Sequence, residues 1–333
     1  MIPILGLFLF NLLMLWGIDR TLFWRQLLFW LLAGVAFYLA RTLGARAIFS
    51  LESWIYLIVV VFLLLPLFLG QAIRGSSRWI GIGGFSLQPS ELVKPILIGF
   101  LAHYLNQKEI NKFKDFLLTI ALIIVPVFLI LIQPDLGSAG IIAATLMILL
   151  LVAKPKLNWW FLTSVVAIIF LLIAKDKLIH PYQMDRIRAF LDPYSDPLGK
   201  GYNLIQAQLA IGSGGLFGRG FGLGRQTQLA YLPEKHTDFI FATIAEELGL
   251  VGVLFLLGFY YWLFSWLLKK VFLSEDNFTF YLRLGIFLQL FFQTTINLAM
   301  NLGLFPVVGV PLPLISYGGS SLISTLFSLG LVI

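Results

Sequence analysis

Residues 248–268 read LGLVGVLFLLGFYYWLFSWLL, and no charge interrupts the run from Leu248 to Leu268. At 1.5 Å per residue it makes a helix about 30 Å long, the thickness of a bilayer's hydrocarbon core. Lys269 and Lys270 close it on one side, and Glu246 and Glu247 on the other. Continued back as helix to Asp238, it lifts that carboxylate about 15 Å beyond Leu248, to the height of lipid headgroups. Glu246 and Glu247 are expected to pair with basic residues from other helices.

The rest of the chain repeats this pattern. Of 333 residues, 59% are hydrophobic and 12% charged, against about 25% charged in a soluble domain. Too few polar residues remain to coat so large an apolar core in water, so the solvent is the bilayer. Apolar spans are expected near 2–17, 21–40, 52–70, 90–106, 115–132, 138–153, 157–174, 238–268, 280–303 and 313–333. The expected fold is all-α, a polytopic helical bundle of about ten transmembrane helices. Residues 1–333 form one transmembrane domain, with one long extracytoplasmic loop at about 175–237.

The net charge of +7 comes from 23 basic and 16 acidic residues. The basic residues lie scattered between spans, which suits helix orientation and not nucleic-acid binding. With no cysteine in the sequence, disulfides, thiolate catalysis and Cys-based zinc sites are excluded. The first apolar stretch lacks a basic leader and a cleavage signal, so it reads as the first span. Arg41 and Arg46, then Lys108, Lys112 and Lys114, then Lys154 and Lys156, then Lys269 and Lys270 fill alternate short connections. The positive-inside rule places these, and both termini, in the cytoplasm.

Four polar segments then share the outer side. The first runs from Arg74-Gly75-Ser76-Ser77-Arg78-Trp79 to Gln88-Pro89-Ser90-Glu91-Leu92-Val93-Lys94-Pro95. Pro89 suits a helix start, and Glu91 and Lys94 share one helix face. A charge pair inside a span lines a cavity or locks two helices together. The second is Gln133-Pro134-Asp135-Leu136-Gly137-Ser138, with Asp135 where an N-cap belongs. The third is Leu232-Pro233-Glu234-Lys235-His236-Thr237-Asp238-Phe239. Asp238 there reads as an N-cap or as a base working on a lipid headgroup. The fourth runs from Pro306 through Gly309, Pro311, Pro313 and Ser316 to Ser321. Its prolines and glycines predict a broken entry to the last span, lining a cavity or packing closely. The glycines of the long loop lack the strand-to-helix setting of nucleotide sites, and His103, His180 and His236 lack metal-ligand spacing.

These four segments, in this order over residues 74–321, resemble the SEDS family (shape, elongation, division, sporulation) of cell-wall proteins. Phe190-Leu191-Asp192-Pro193, Asp196-Pro197-Leu198-Gly199, Thr227-Gln228-Leu229 and Pro306 to Pro311 look like its RodA, or elongation, branch. The resemblance implies a peptidoglycan glycosyltransferase of the bacterial inner membrane that polymerises lipid II in lateral cell-wall elongation and shape maintenance. It makes Asp238 the catalytic residue and brings in Asp135, Glu91 and Lys94. It also implies a class B penicillin-binding protein, a transpeptidase, as partner, within the cell-elongation machinery and among membrane lipids.

The chemistry fits the residue types. A carboxylate takes the acceptor hydroxyl proton, and cations meet the departing diphosphate. Arg78, Lys94, Arg186, Arg188 and Arg219 are the candidate cations, with His236 and Ser316 in support. A divalent cation, Mg2+ or Mn2+, held by Asp135 and Glu91 is a further expectation. No organic cofactor and no nucleic acid are expected. Three alternatives stay open: a lipid II flippase, the division-specific (FtsW-like) polymerase, and a scaffold that only docks a transpeptidase.

Overall fold

The computed structural model describes residues 2–73, 76–82, 85–156, 158–161, 163 and 181–333. Helices α1 (Ile2–Ile18), α2 (Arg20–Leu43), α3 (Ala45–Phe49) and α4 (Glu52–Leu69) lead into three short strands, β1 (Gln71–Ile73), β2 (Ser76–Ile82) and β3 (Phe85–Leu87). Next come α5 (Pro89–Gln107), α6 (Phe113–Ile132) and α7 (Leu136–Val152). Then follow α8 (Pro181–Leu191), a 3-10 turn (Pro193–Ser195), α9 (Tyr202–Gly214) and α10 (Arg225–Gln228). Helices α11 (Ile240–Phe272), α12 (Asn277–Leu302) and α13 (Gly319–Val332) complete the fold. The expected span at 157–174 falls almost wholly outside the described residues; the other expected spans each meet a helix.

Capping chemistry sets the helix ends. Asp19 accepts the Thr21 N–H to start α2, Asp135 the Ser138 N–H to start α7, and Asp276 the Thr279 N–H to start α12. Pro89 takes the first position of α5, where its missing N–H costs nothing. Helices α2, α6 and α11, with 24, 20 and 33 residues, are each long and apolar enough to cross a membrane. Helix α12 matches them in length but carries Gln289, Gln293, Asn297 and Asn301, all buried. Polar side chains on a spanning helix are tolerated when they face protein instead of lipid.

Helix α5 is the centre of the bundle, packed by α4, α7, α12 and α13. Its Ser90, Glu91 and Lys94 are buried with its apolar residues. The outer faces of the peripheral helices are the reverse: Leu31, Phe68 and Tyr261 are 68%, 81% and 77% exposed. Such apolar surface has no place in water and suits lipid. The chain is a multi-pass membrane protein.

At one end of the bundle, Arg46 pairs with the N-cap Asp276, and Arg283 donates to the Lys270 carbonyl. The four polar segments meet at the other end.

Three features differ from the sequence reading. The long loop is largely helical, through α8, α9 and α10. The residues before α5 form an antiparallel sheet, with Gln71 opposite Trp79 and Gly81 opposite Ser86. The span at 238–268 is not one straight helix: α11 starts at Ile240 and breaks at Gly249, whose φ is 63°, so the height of Asp238 is not a straight continuation of the 250–268 span. A Cβ at Gly249 would sit 2.3 Å from Gly218 N and 2.6 Å from Leu216 O. The break is filled by the preceding loop. Gly215 O and Leu216 O accept the Leu250 and Val251 N–H groups, while the Arg219 and Gly220 N–H groups donate to Glu246 O and Glu247 O. Every backbone group the break frees at these positions is thereby satisfied, as a low-dielectric setting demands.

Candidate active site

Asp135, at the start of α7, is a junction. Its Oδ2 accepts the Gln88 amide and the Ser90 hydroxyl, each at 2.7 Å, and its Oδ1 takes the Ser138 N–H at 3.2 Å. Arg78, from β2, brings Nη1 to 3.8 Å of the same Oδ1. Asp135 is thus both an N-cap and the clasp that ties the sheet, α5 and α7 together.

One turn further into α5, Lys94 Nζ donates to Glu91 Oε1 at 2.5 Å, and both residues are buried. Ser138 Oγ reaches the same Glu91 oxygen at 3.2 Å, and Gln293 of α12 faces Lys94 Nζ at 3.4 Å. The pair joins three helices. Lys94 is fully buried and does not reach out to a diphosphate as the sequence reading expected.

Asp238 lies two residues before α11, in a turn whose carbonyls are all held. The Tyr317 N–H donates to His236 O at 2.8 Å, and Ser316 Oγ donates to Thr237 O at 2.6 Å. The amides of Asn297 and Asn301 each donate to Asp238 O at 3.0 Å. Asn297 also donates to Val310 O at 2.7 Å, which ties the turn to the irregular segment before α13. A Cβ placed on Gly309, whose φ is +68°, would stand 3.3 Å from Asp238 Oδ2 and 3.9 Å from Arg78 Nη2. The carboxylate and the guanidinium are therefore both within 4 Å of one point, at a turn whose positive φ favours glycine.

The irregular segment from Pro306 to Gly318 is pinned from all sides. Gln293 holds Pro311 O, Tyr260 holds Pro313 O, Asn11 holds Ile315 O and Gln26 holds Ser316 O. Ser316 Oγ also takes the Leu312 N–H at 2.7 Å. Unwound backbone survives inside a membrane protein only with such partners. Ser316 is accordingly a tie between two loops.

Arg186 is half-buried on α8 and interacts within the fold. Arg188 is exposed on the same helix, and no described contact joins it to Asp135 or Asp238. Arg219 is exposed beside the α11 break, level with Glu246. The His236 ring stacks edge-on against Tyr317, 5.6 Å between centroids. Glu246 takes the Gln226 and Thr227 N–H groups and the Thr227 hydroxyl, and Glu247 takes the Gly222 N–H. Their cationic neighbour is Lys235 of the adjoining loop, not a residue of another helix. Burial pushes its ammonium pKa down against the opposing pull of Glu247, Asp19 and Glu246.

The expected metal site does not fit these donors. The oxygens of Asp135 are taken by Gln88, Ser90, Ser138 and Arg78, and Glu91 Oε1 by Lys94 and Ser138. Among the described residues no three His, Asp or Glu side chains converge to hold a metal ion. Sequence reasoning missed Asn297 and Asn301, which hold Asp238, and Asn11 and Gln26, which hold the segment before α13. Their signal was polar residues four apart in an apolar span: Gln289, Gln293, Asn297 and Asn301.

The family of cell cycle proteins that includes FtsW, RodA and SpoVE matches residues 2–333. The probable peptidoglycan glycosyltransferase FtsW of Buchnera aphidicola is 42% identical over 275 residues, 81% of this chain and 72% of its own length. The peptidoglycan glycosyltransferase MrdB of Escherichia coli K12 is 38% identical over 290 residues, 84% of this chain and 77% of its own. Among solved structures, one chain of a peptidoglycan synthase complex that coordinates polymerization and crosslinking superposes with a TM-score of 0.82 at 34% identity. That match covers 99% of this chain and 94% of the other. The rod shape determining protein RodA of Thermus thermophilus superposes with a TM-score of 0.73 at 30% identity, covering 99% and 93%. With its motifs, its fold and its relatives in agreement, the chain belongs to the FtsW, RodA and SpoVE family of cell cycle proteins.

Proposed function

We propose that this chain polymerises lipid II into glycan strands, with Asp238 as the general base and Arg78 as the cation nearest the leaving group. The enzyme class itself follows from the family: the chain is a peptidoglycan glycosyltransferase, as its relatives are named. In this reading the acceptor sugar's 4-hydroxyl oxygen attacks the donor's anomeric carbon. Its proton passes to the Asp238 carboxylate, and the bond to the undecaprenyl diphosphate breaks with its electron pair leaving on the diphosphate. One displacement on an α-linked donor gives a β-linked strand, so no enzyme nucleophile is required.

The observation that carries this reading is that Asp238 Oδ2 and Arg78 Nη2 lie 3.3 Å and 3.9 Å from one point, where a Cβ on Gly309 would stand. A base and a cation must flank the reacting centre, and the cation must be in place before charge develops. Asp135 lies beside Arg78 and accepts the Ser90 hydroxyl, and Glu91 of the buried pair accepts the Ser138 hydroxyl.

The basic residues at the end opposite Asp238 support a site that faces outward from the inner membrane. Branch-specific residues from Phe190 to Pro193 and from Pro306 to Pro311 support the elongation role. A separate transpeptidase partner is supported by the similar chain in a synthase complex that couples polymerization to crosslinking.

The test is polymerisation of labelled lipid II by purified protein, with and without a class B penicillin-binding protein and with a chelator. Asp238→Asn is expected to lose activity by about 10²- to 10⁴-fold. Polymerisation by Asp238→Asn at the wild-type rate would remove the carboxylate from the mechanism.

A further inference from the structure

We infer that the loop at residues 215–225 is an interfacial anchor: its apolar side chains enter the outer edge of the bilayer, and Arg219 and Arg225 meet phospholipid phosphates.

Three observations set its height. The loop is bonded into the α11 break, through Gly215 and Leu216 to Leu250 and Val251, and through Arg219 and Gly220 to Glu246 and Glu247. Its level on the helix is therefore fixed. On the outer side of the break, from Ile240 to Glu247, the residues are buried in protein. On the inner side Leu250, Leu254, Phe255 and Tyr261 are 47%, 58%, 65% and 77% exposed, a lipid-facing surface. Counting out from Lys269, which marks the other boundary, twenty residues at 1.5 Å reach Gly249 after about 30 Å, the hydrocarbon thickness. Residues 215–220 thus sit where hydrocarbon gives way to headgroups.

The loop's composition suits that height. Leu216, Phe217 and Leu223 are 62%, 81% and 70% exposed. Arg219 and Arg225 are exposed, and neither side chain makes an ion pair with a described residue. Apolar bodies below and guanidinium groups above are the usual makeup of an interfacial segment. The neighbouring end of α1 continues the belt. Phe221 packs on Gly17, and Arg20 lies over the ring of Trp16 at 5.0 Å, with Trp24 exposed beside it. Continuity with the lipid-facing wall of α11, together with unpaired cations at phosphate height, favours lipid over a protein partner. Arg219 therefore has a lipid to hold in place of the substrate diphosphate first expected of it.

The sequence has no cysteine, so a single nitroxide can be placed at will. Phe217→Cys, Arg219→Cys and Leu254→Cys would each be spin-labelled in the full chain, reconstituted alone into phosphatidylethanolamine–phosphatidylglycerol vesicles. At Phe217 collisions with oxygen are expected to exceed those with a water-soluble nickel complex several-fold, as at the lipid-facing reference Leu254. At Arg219 a nickel-chelating lipid headgroup is expected to broaden the signal. Greater access to the soluble nickel complex than to oxygen at Phe217, with Leu254 behaving as lipid-facing, would place the loop in water and overturn the anchor. So would an Arg219 label untouched by the headgroup nickel. Both readings are independent of catalysis, so they stand apart from the fate of Asp238→Asn.

Discussion

In the proposed mechanism Asp238 acts through its side chain, and it is held by its backbone; that division gives a residue-scale prediction. Asn297 donates from one amide to both Asp238 O and Val310 O, so it sets the distance between the carboxylate and the Gly309 turn. Asn297→Ala is expected to lower kcat by about 10- to 100-fold, because small misplacements of a base are costly. KM for lipid II should change little, and stability should fall by only about 1–3 kcal/mol, the cost of one buried carbonyl, Val310 O, left unsatisfied, because Asn301 still holds Asp238 O. A larger fall in stability would show a merely structural bond. A normal rate, with Asp238→Asn inactive, would leave Asp238 catalytic but not positioned by Asn297. Lys94 gives the opposite kind of prediction. Lys94→Met strands the buried Glu91 carboxylate and should cost about 3–5 kcal/mol, whereas the double variant Glu91→Met/Lys94→Met should recover most of it. Thermal unfolding of the two variants in one detergent checks this.

Elements were legible in proportion to how strongly lipid dictates them. A crossing helix needs about 20 apolar residues, and that requirement is visible in α2, α6 and α11 without any structure. Pro89 and Asp135 marked the starts of α5 and α7 for the same local reasons that the structure shows. The helices of the long loop were not legible, because Pro181–Leu191 and Tyr202–Gly214 mix polar and apolar residues and draw their order from packing. The sheet was hidden by its size, with two strands of three residues each. The four polar segments were read correctly as neighbours, but which carboxylate faces which cation was not, since Arg78 meets Asp135 and approaches Asp238 only through tertiary packing. An element-scale prediction concerns the N-cap of α12. Burial alone would raise the Asp276 carboxyl pKa, but the Thr279 N–H and hydroxyl and the Arg46 guanidinium outweigh it and hold the group below its ordinary 3.8. A depressed carboxyl stabilises the fold above its unfolded value and loses that contribution as pH falls through the folded one. Thermal stability should therefore fall below about pH 4 in the wild type, and Asp276→Asn should remove that part of the pH dependence.

At the scale of the whole molecule, the two ends of the bundle differ in kind. One gathers lysines and the Arg46–Asp276 pair, and the other gathers the polar segments around Asp238. The cysteine-less chain makes the expected orientation measurable. A cysteine replacing the exposed Tyr231 should react with a membrane-impermeant maleimide in intact cells, and one replacing the exposed Leu273 only after permeabilisation. The reverse pattern would turn the molecule over and leave Asp238 without its lipid-linked sugar.

The loop seated in the α11 break also bears on how the chain is made. Gly215 and Leu216 are synthesised before Leu250 and Val251, whose N–H groups they accept. The intervening stretch of roughly 35 residues closes at modest entropic cost. In the proposed orientation the lipid-facing half of α11 cannot settle until that earlier stretch has crossed and docked, because the Leu250 and Val251 amides at its outer end find their partners only there. Translocation of the loop and release of the helix from the insertion machinery thus become one coupled step, ordered by the direction of translation.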